Sequence, residues 1–173
     1  ITDNTTGCVN VCTTVAVVNT LPVCNASNNS PICDGATLAL TEDGGEADSW
    51  TWSTDGGATI DDLNAQNPTA TGVTDGETFT VVIVDANGCE SSCTTTATVN
   101  ALPVCDAAND GPICDGQPLA LSENGGEATS WTWSTDGGST IDDVNAQNPT
   151  ATDVTDGEVF TVVIIDANGC EST

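Results

Sequence analysis

The stretch Phe79-Thr-Val-Val-Ile-Val-Asp-Ala-Asn-Gly-Cys89 returns almost unchanged as Phe160-Thr-Val-Val-Ile-Ile-Asp-Ala-Asn-Gly-Cys170. A β-branched run closed by Asp-Ala-Asn-Gly reads as a strand entering a tight hairpin turn, where Gly supplies positive φ. The cysteine directly after each turn implies that the hairpin is stapled to another part of the chain. The two copies lie 81 residues apart, and most of the chain follows that period.

Aligning 21–92 with 102–173 leaves 57 of 72 positions identical, so the chain is a tandem duplication. Residues 1–20 read as the C-terminal strand of a preceding repeat or as an N-terminal donor strand. Residues 21–100 form the first repeat. Residues 101–173 form the second, which lacks the last strand of the first. The linkers Asn19-Thr-Leu-Pro22 and Asn100-Ala-Leu-Pro103 are short and carry Pro, which favours a stiff tandem over freely jointed beads.

Charge narrows the function. The 173 residues include 26 Asp and Glu but no Lys, Arg or His, a formal −26. Each carboxylate must be solvated, accept hydrogen bonds from neutral donors, or meet a cation from outside. Nucleic acid is excluded as a natural partner, because nothing here neutralises phosphate. The acids sit between regular β-branched runs, which argues against disorder. No apolar run is long enough to cross a bilayer, and no basic start precedes a hydrophobic core, so no membrane insertion or signal peptide is read. Nine cysteines in so short a chain point to a disulfide framework and an oxidising, extracellular or cell-surface setting. Without His or paired Cys-x-x-Cys spacing, the zinc reading is the weaker one.

Within each repeat only strands and turns are legible. Thr37–Thr41 alternates with Leu38 and Leu40 on one face, and Ser49–Ser53 alternates after the Gly44-Gly45 break. Turns at Asp55-Gly-Gly57 and Asp75-Gly76 frame a short strand at Thr69–Val73, and Cys93–Val99 is the last strand. No window shows helical spacing. Short strands with regular turn signals predict an all-β, β-sandwich fold.

"Pro31-Ile-Cys-Asp-Gly35…Leu38-Ala-Leu40", "Trp50-Thr-Trp-Ser53", "Asn67-Pro-Thr-Ala-Thr71" and the opening stretch resemble the immunoglobulin-like and PKD-like tandem repeats of large bacterial surface adhesins, including gliding-motility adhesins. The resemblance covers both repeats nearly end to end. It implies tandem immunoglobulin-like sandwiches of seven strands, a cell-surface setting, a structural or adhesive role and no catalytic residues. It also implies the pairs Cys33–Cys89 and Cys114–Cys170, leaving Cys24 to Cys93; the sequence itself leaves all three connectivities of such a quartet open. Phe79 and Phe160 depart from the pattern by standing where these repeats often carry Tyr, so a hydroxyl-anchored corner is lost.

Other residues carry two readings each. Trp50 and Trp52, like Trp131 and Trp133, share a strand face; they can stack on a sugar, but a core this poor in aromatics needs them. Val82, Val84, Val163 and Ile165 make the outer face of a strand that is apolar on both sides. That face is covered by neighbouring side chains or offered to another protomer. Asp55, Asp61, Asp62, Asp136, Asp142 and Asp143 are oxygen donors for weakly bound Ca²⁺ or simply turn acids. Asn4, Asn25 and Asn28 open glycosylation sequons. Paired acids could serve a glycosidase, but these recur in turns with no basic residue to shape a substrate site, so no enzyme is expected.

The expected function is a structural subunit of an extracellular filament or surface stalk. Its partners are then other copies of the chain. The alternative is a fragment of a long surface adhesin that binds glycan or another cell. Residues 12–20 (CTTVAVVNT) are the counterpart of the strand beginning at Cys93 and could complete the second repeat of another copy, with Cys12 linked to Cys105. Cys8 counts against donation, since Cys170 already fills its equivalent place. A window cut from a longer array explains the same ends.

Overall fold

Alternation of apolar and polar side chains decides the strands, and the structure is all-β. It is a computed structural model describing residues 11–173, with sixteen strands and no helix among them. Asn4 and Cys8 lie outside the described residues. In the first repeat the strands are β1 (Ala26–Asn28), β2 (Ile32–Cys33), β3 (Leu38–Glu42), β4 (Ser49–Thr54), β5 (Thr59–Ile60), β6 (Thr69–Thr71), β7 (Thr78–Val84), β8 (Glu90–Thr96) and β9 (Val99–Asn100). In the second they are β10 (Ala107–Asn109), β11 (Leu119–Glu123), β12 (Ala128–Thr135), β13 (Thr140–Ile141), β14 (Thr150–Thr152), β15 (Phe160–Asp166) and β16 (Glu171–Ser172).

The first repeat has one sheet in the order β1-β3-β6-β5 and another in the order β4-β7-β8. Leaving aside the two-residue β2 and β9, this is the strand order of a constant-type immunoglobulin sandwich. The second repeat follows it with β10-β11-β14-β13 and β12-β15-β16. The register is antiparallel, with Trp52 opposite Val81 and Trp133 opposite Val162. One parallel pair stands apart: β2 lies along β9, with Ile32 opposite Val99 and Cys33 opposite Asn100. The last strand expected at Cys93–Val99 is therefore split. It pairs with β7 as far as Thr96, then turns away to meet β2.

Leu38, Leu40, Trp52, Ala70, Phe79, Val81 and Ile83 fill the first core, and Leu119, Leu121, Trp133, Ala151, Val162 and Ile164 the second. Trp52 Nε1 donates to Ala65 O at 3.0 Å, and Trp50 Nε1 to Glu42 Oε2 at 3.0 Å. The indoles thus face the interior, so the packing reading of the Trp pairs holds. The Asp-Ala-Asn-Gly turn forms as the sequence predicts. Gly88 has φ +80°, and Asp85 Oδ1 accepts from the amides of Asn87 and Cys89.

Cys24 and Cys93 are bonded and packed against the first core. Closing that 69-residue separation contributes about 4 kcal/mol on a chain-entropy estimate, comparable with the net stability of a small domain. The pairs Cys33–Cys89 and Cys114–Cys170 do not form. Cys33 is bonded to Cys170 across the two repeats, with the Cα atoms 5.6 Å apart, and Cys12, Cys89, Cys105 and Cys114 are free thiols. The reason lies in the strands. Cys33 sits beside Asn100, and the extended run from Cys89 to Asn100, at about 3.3 Å per residue, separates Cys89 from it by on the order of 30 Å. A disulfide needs Cα atoms within roughly 7 Å.

Candidate assembly interface

The segment Cys93–Asn100 holds the first repeat closed. Its side chains alternate inward and outward, and Ala97 is 1% exposed. Ala97 N donates to Glu77 O (2.9 Å), and Ala97 O accepts from Gly76 N (3.0 Å). Ile32 N donates to Thr98 O, Asp34 N to Asn100 O, and Val99 N to the Asp75 carboxylate. The Asn28 amide donates to Thr95 Oγ1 (2.8 Å) and Thr96 O (3.0 Å).

The counterpart groups of the second repeat are Gly157 N, Glu158 O, Ile113 N, Asp115 N and the carboxylate of Asp156. None of them has a hydrogen-bond partner among the described residues. β15 is paired on this side only at Ile164 and Ile165, whereas β7 is paired along its whole length. The result is a groove of about 540 Å³, lined by Asn109, Ile113, Leu119, Val154 and Phe160 among others. Phe79 is 0% exposed, but Phe160 is only half-buried, and Ile113 and Val154 are likewise more open than Ile32 and Val73.

Residues 11–20 form no strand and are exposed throughout, including Val15 (87%) and Val18 (89%). Placed 81 residues along, Cys12, Thr14, Ala16 and Val18 fall on the inward positions of Cys93, Thr95, Ala97 and Val99. Val15 and Val17 fall on the outward positions of Thr96 and Thr98. The chain therefore presents both a groove and an unpaired segment with the groove's own pattern.

Carboxylates brace the sandwich edges. Glu77 Oε1 accepts from Thr54 Oγ1 (2.6 Å) and Ala58 N (2.9 Å), and Oε2 from Thr74 N and Oγ1. Burial pushes the Glu77 carboxyl up, but these donors together outweigh it and hold it below the usual range. Glu158, its counterpart beside the groove, is held down to about 2 by the hydroxyls of Ser139 and Thr135 and the Thr155 amide. These glutamates, two residues before Phe79 and Phe160, tie the start of β7 to the β4–β5 turn and the start of β15 to the β12–β13 turn. Residue patterns gave no sign of this, because Glu in a turn reads as a solvated acid. Cys105, counterpart of the bonded Cys24, is half-buried, and burial, then Glu123 and Asp106, push its thiol up.

The remaining sequence-predicted sites are scattered. Asp61 accepts from Thr69 N, Thr69 Oγ1 and Asp62 N, and Asp142 from Thr150 N and Asp143 N. Asp62 and Asp143 accept from Asn64 N and Asn145 N, while Asp55 and Asp136 accept from Thr78 N and Val159 N. The Asp61, Asp62, Asp142 and Asp143 bonds close local turns, while Asp55 and Asp136 tie each Asp-Gly-Gly turn to the chain 23 residues later. Among the described residues no three such side chains converge in a way that could hold a metal ion. Val82, Val84, Val163 and Ile165 are half-buried on the outer sheet face. Asn25 is exposed, whereas the Asn28 amide is spent inside the sandwich edge.

No protein-family model matches the chain, and no curated protein does. Murine CEACAM1b is similar at 8% identity and a TM-score of 0.36, over 83% of this chain and 93% of that one. The Bacteroides ovatus mixed-linkage glucan utilization locus SGBP-B, solved with a mixed-linkage heptasaccharide, is similar at 15% identity and a TM-score of 0.31. That match covers 85% of this chain and 45% of the other. Both likenesses are loose, and the fold rests on strand order.

Proposed function

We propose that the chain is a structural subunit of an extracellular filament or stalk, in which residues 12–18 of one copy enter the second repeat of the next. One observation carries this reading: the groove beside β15 is lined by counterparts of the groups that hold Cys93–Val99, and residues 12–18 have the matching inward face. Strand addition of this kind gains main-chain hydrogen bonds and covers an open edge. A head-to-tail contact that does not close on itself yields a fibre. In this register Cys12 stands where Cys93 stands beside Cys24, within reach of Cys105. The two bonds fit an oxidising surface environment.

Deleting residues 1–20 should abolish filaments seen by electron microscopy. A peptide of residues 11–22 added to that deletion should raise the melting temperature of the second repeat. Filaments that survive the deletion would end the proposal. Wild-type chains that stay monomeric and bind a glycan array would favour the adhesin instead.

A further inference from the structure

The Cys33–Cys170 bond shows how consecutive repeats are joined, and its two halves recur unpaired. Cys33 ends β2 beside Asn100, at the end of the first repeat from which the chain departs for the second. Cys170 follows the β15–β16 turn, at the end of the second repeat that faces the first. Cys89 is the counterpart of Cys170 and follows the β7–β8 turn, at the opposite end of the first repeat from Cys33. Cys114 is the counterpart of Cys33 and lines the groove together with Val154, Gly157 and Phe160, the residue that opens β15, whereas Cys170 follows the far end of that strand. Cys89 is half-buried and Cys114 exposed, and both are free thiols. The described residues therefore carry one complete staple and one unpaired counterpart of each of its halves.

We infer that Cys114 of one copy bonds Cys89 of the next, repeating the internal staple between subunits. This rests on the head-to-tail reading above and deepens it. If the strand of the next copy occupies the groove, its first repeat follows through Asn19–Pro22, as the second repeat follows through Asn100–Pro103. That linker has the same length and closing Leu-Pro. The β7–β8 turn of the incoming copy then meets Cys114 as Cys170 meets Cys33. The bond forms by exchange with an external disulfide: two thiols lose two protons and two electrons, one S–S bond forms, and the external disulfide is reduced to two thiols.

The test uses full-length chains assembled with oxidised glutathione. Cys12→Ser removes the other expected link between copies. Filaments of that variant should run as a ladder on a denaturing gel without reductant. Adding Cys89→Ser or Cys114→Ser should collapse the ladder to monomer while filaments persist. A Cys12→Ser filament that runs as monomer would overturn the inference and leave the strand-addition reading standing. Wild-type chains that form no filament at all would remove both. Wild-type filaments give a second readout independent of variant folding. Iodoacetamide should label Cys89 and Cys114 in dissociated subunits and lose both labels in filaments. Full labelling of Cys114 within filaments would refute the staple.

Discussion

Glu158 takes hydrogen bonds from Thr135 Oγ1, Ser139 N, Ser139 Oγ, Thr155 N and Thr155 Oγ1, and none of these donors is charged. Glu42 likewise takes the amides of Asn25 and Gly44 and the indole of Trp50. Gly44 is required there: a Cβ would overlap the Val23 carbonyl and the Glu42 carboxylate. A chain without basic residues can thus bury carboxylates, provided hydroxyls and amides converge on them, and no buried side-chain polar atom lacks a partner among the described residues. The pH consequence has a definite sign. Glu158 holds its proton less tightly when folded, at about 2, than its ordinary 4.5. Its contribution is therefore complete above about pH 4.5 and is lost as pH falls towards 2. Glu158→Gln should lower stability at pH 7 and flatten the loss between pH 4.5 and 2. Urea unfolding followed by circular dichroism across that range measures the difference. An unchanged acid limb would show that those five donors do not discriminate between the two protonation states.

The elements divide sharply into those the sequence announces and those it hides. β4, β7 and β15 are legible because β-branched and aromatic residues run between glycine turns, and the strands before and after Asp85–Gly88 follow. β1, β2 and β5 are not legible. Ala26–Asn28 has no apolar alternation, and Ile32–Cys33 becomes a strand only because β9 lies beside it. Tertiary pairing creates such strands where local propensity is silent. An open edge beside β15 was foreseeable, but the groups that line the groove come together only through tertiary packing, which no local pattern signals. Side-chain parity gives the discriminating experiment. Ala16 falls on the position of the 1%-exposed Ala97, while Val17 falls on that of exposed Thr98. Ala16→Asp should abolish assembly, because it would place an unpaired charge inside the sandwich, and Val17→Thr should leave it intact. Sedimentation of the two variants under identical conditions reads the outcome. Since residue 16 is exposed in the single chain, neither change should unfold the monomer.

At the scale of the whole molecule, cysteine pairing was the feature least accessible to sequence. Three connectivities fit any four cysteines, and the resemblance pointed to pairs within each repeat. The observed bond joins different repeats because strand direction, not sequence distance, decides which turn cysteine meets which. That bond has a mechanical consequence. Tension applied to the ends of the chain enters the bridge at Cys33 and leaves it at Cys170, so the stretch between them, a separation of 137 residues, is bypassed. Pulled as a single molecule, the oxidised chain should yield only its short flanking segments before the covalent limit. With both disulfides reduced, the same pull should release about 450 Å of additional contour length, at roughly 3.3 Å per residue, since an intact Cys24–Cys93 bond would still bypass its own 69-residue separation. Force spectroscopy with and without reductant measures that gap. Equal contour lengths in both conditions would show that the load does not pass through the bridge. A fibre built from such units would behave as a nearly inextensible cord, its compliance set by redox state rather than by the strength of its β-sheets.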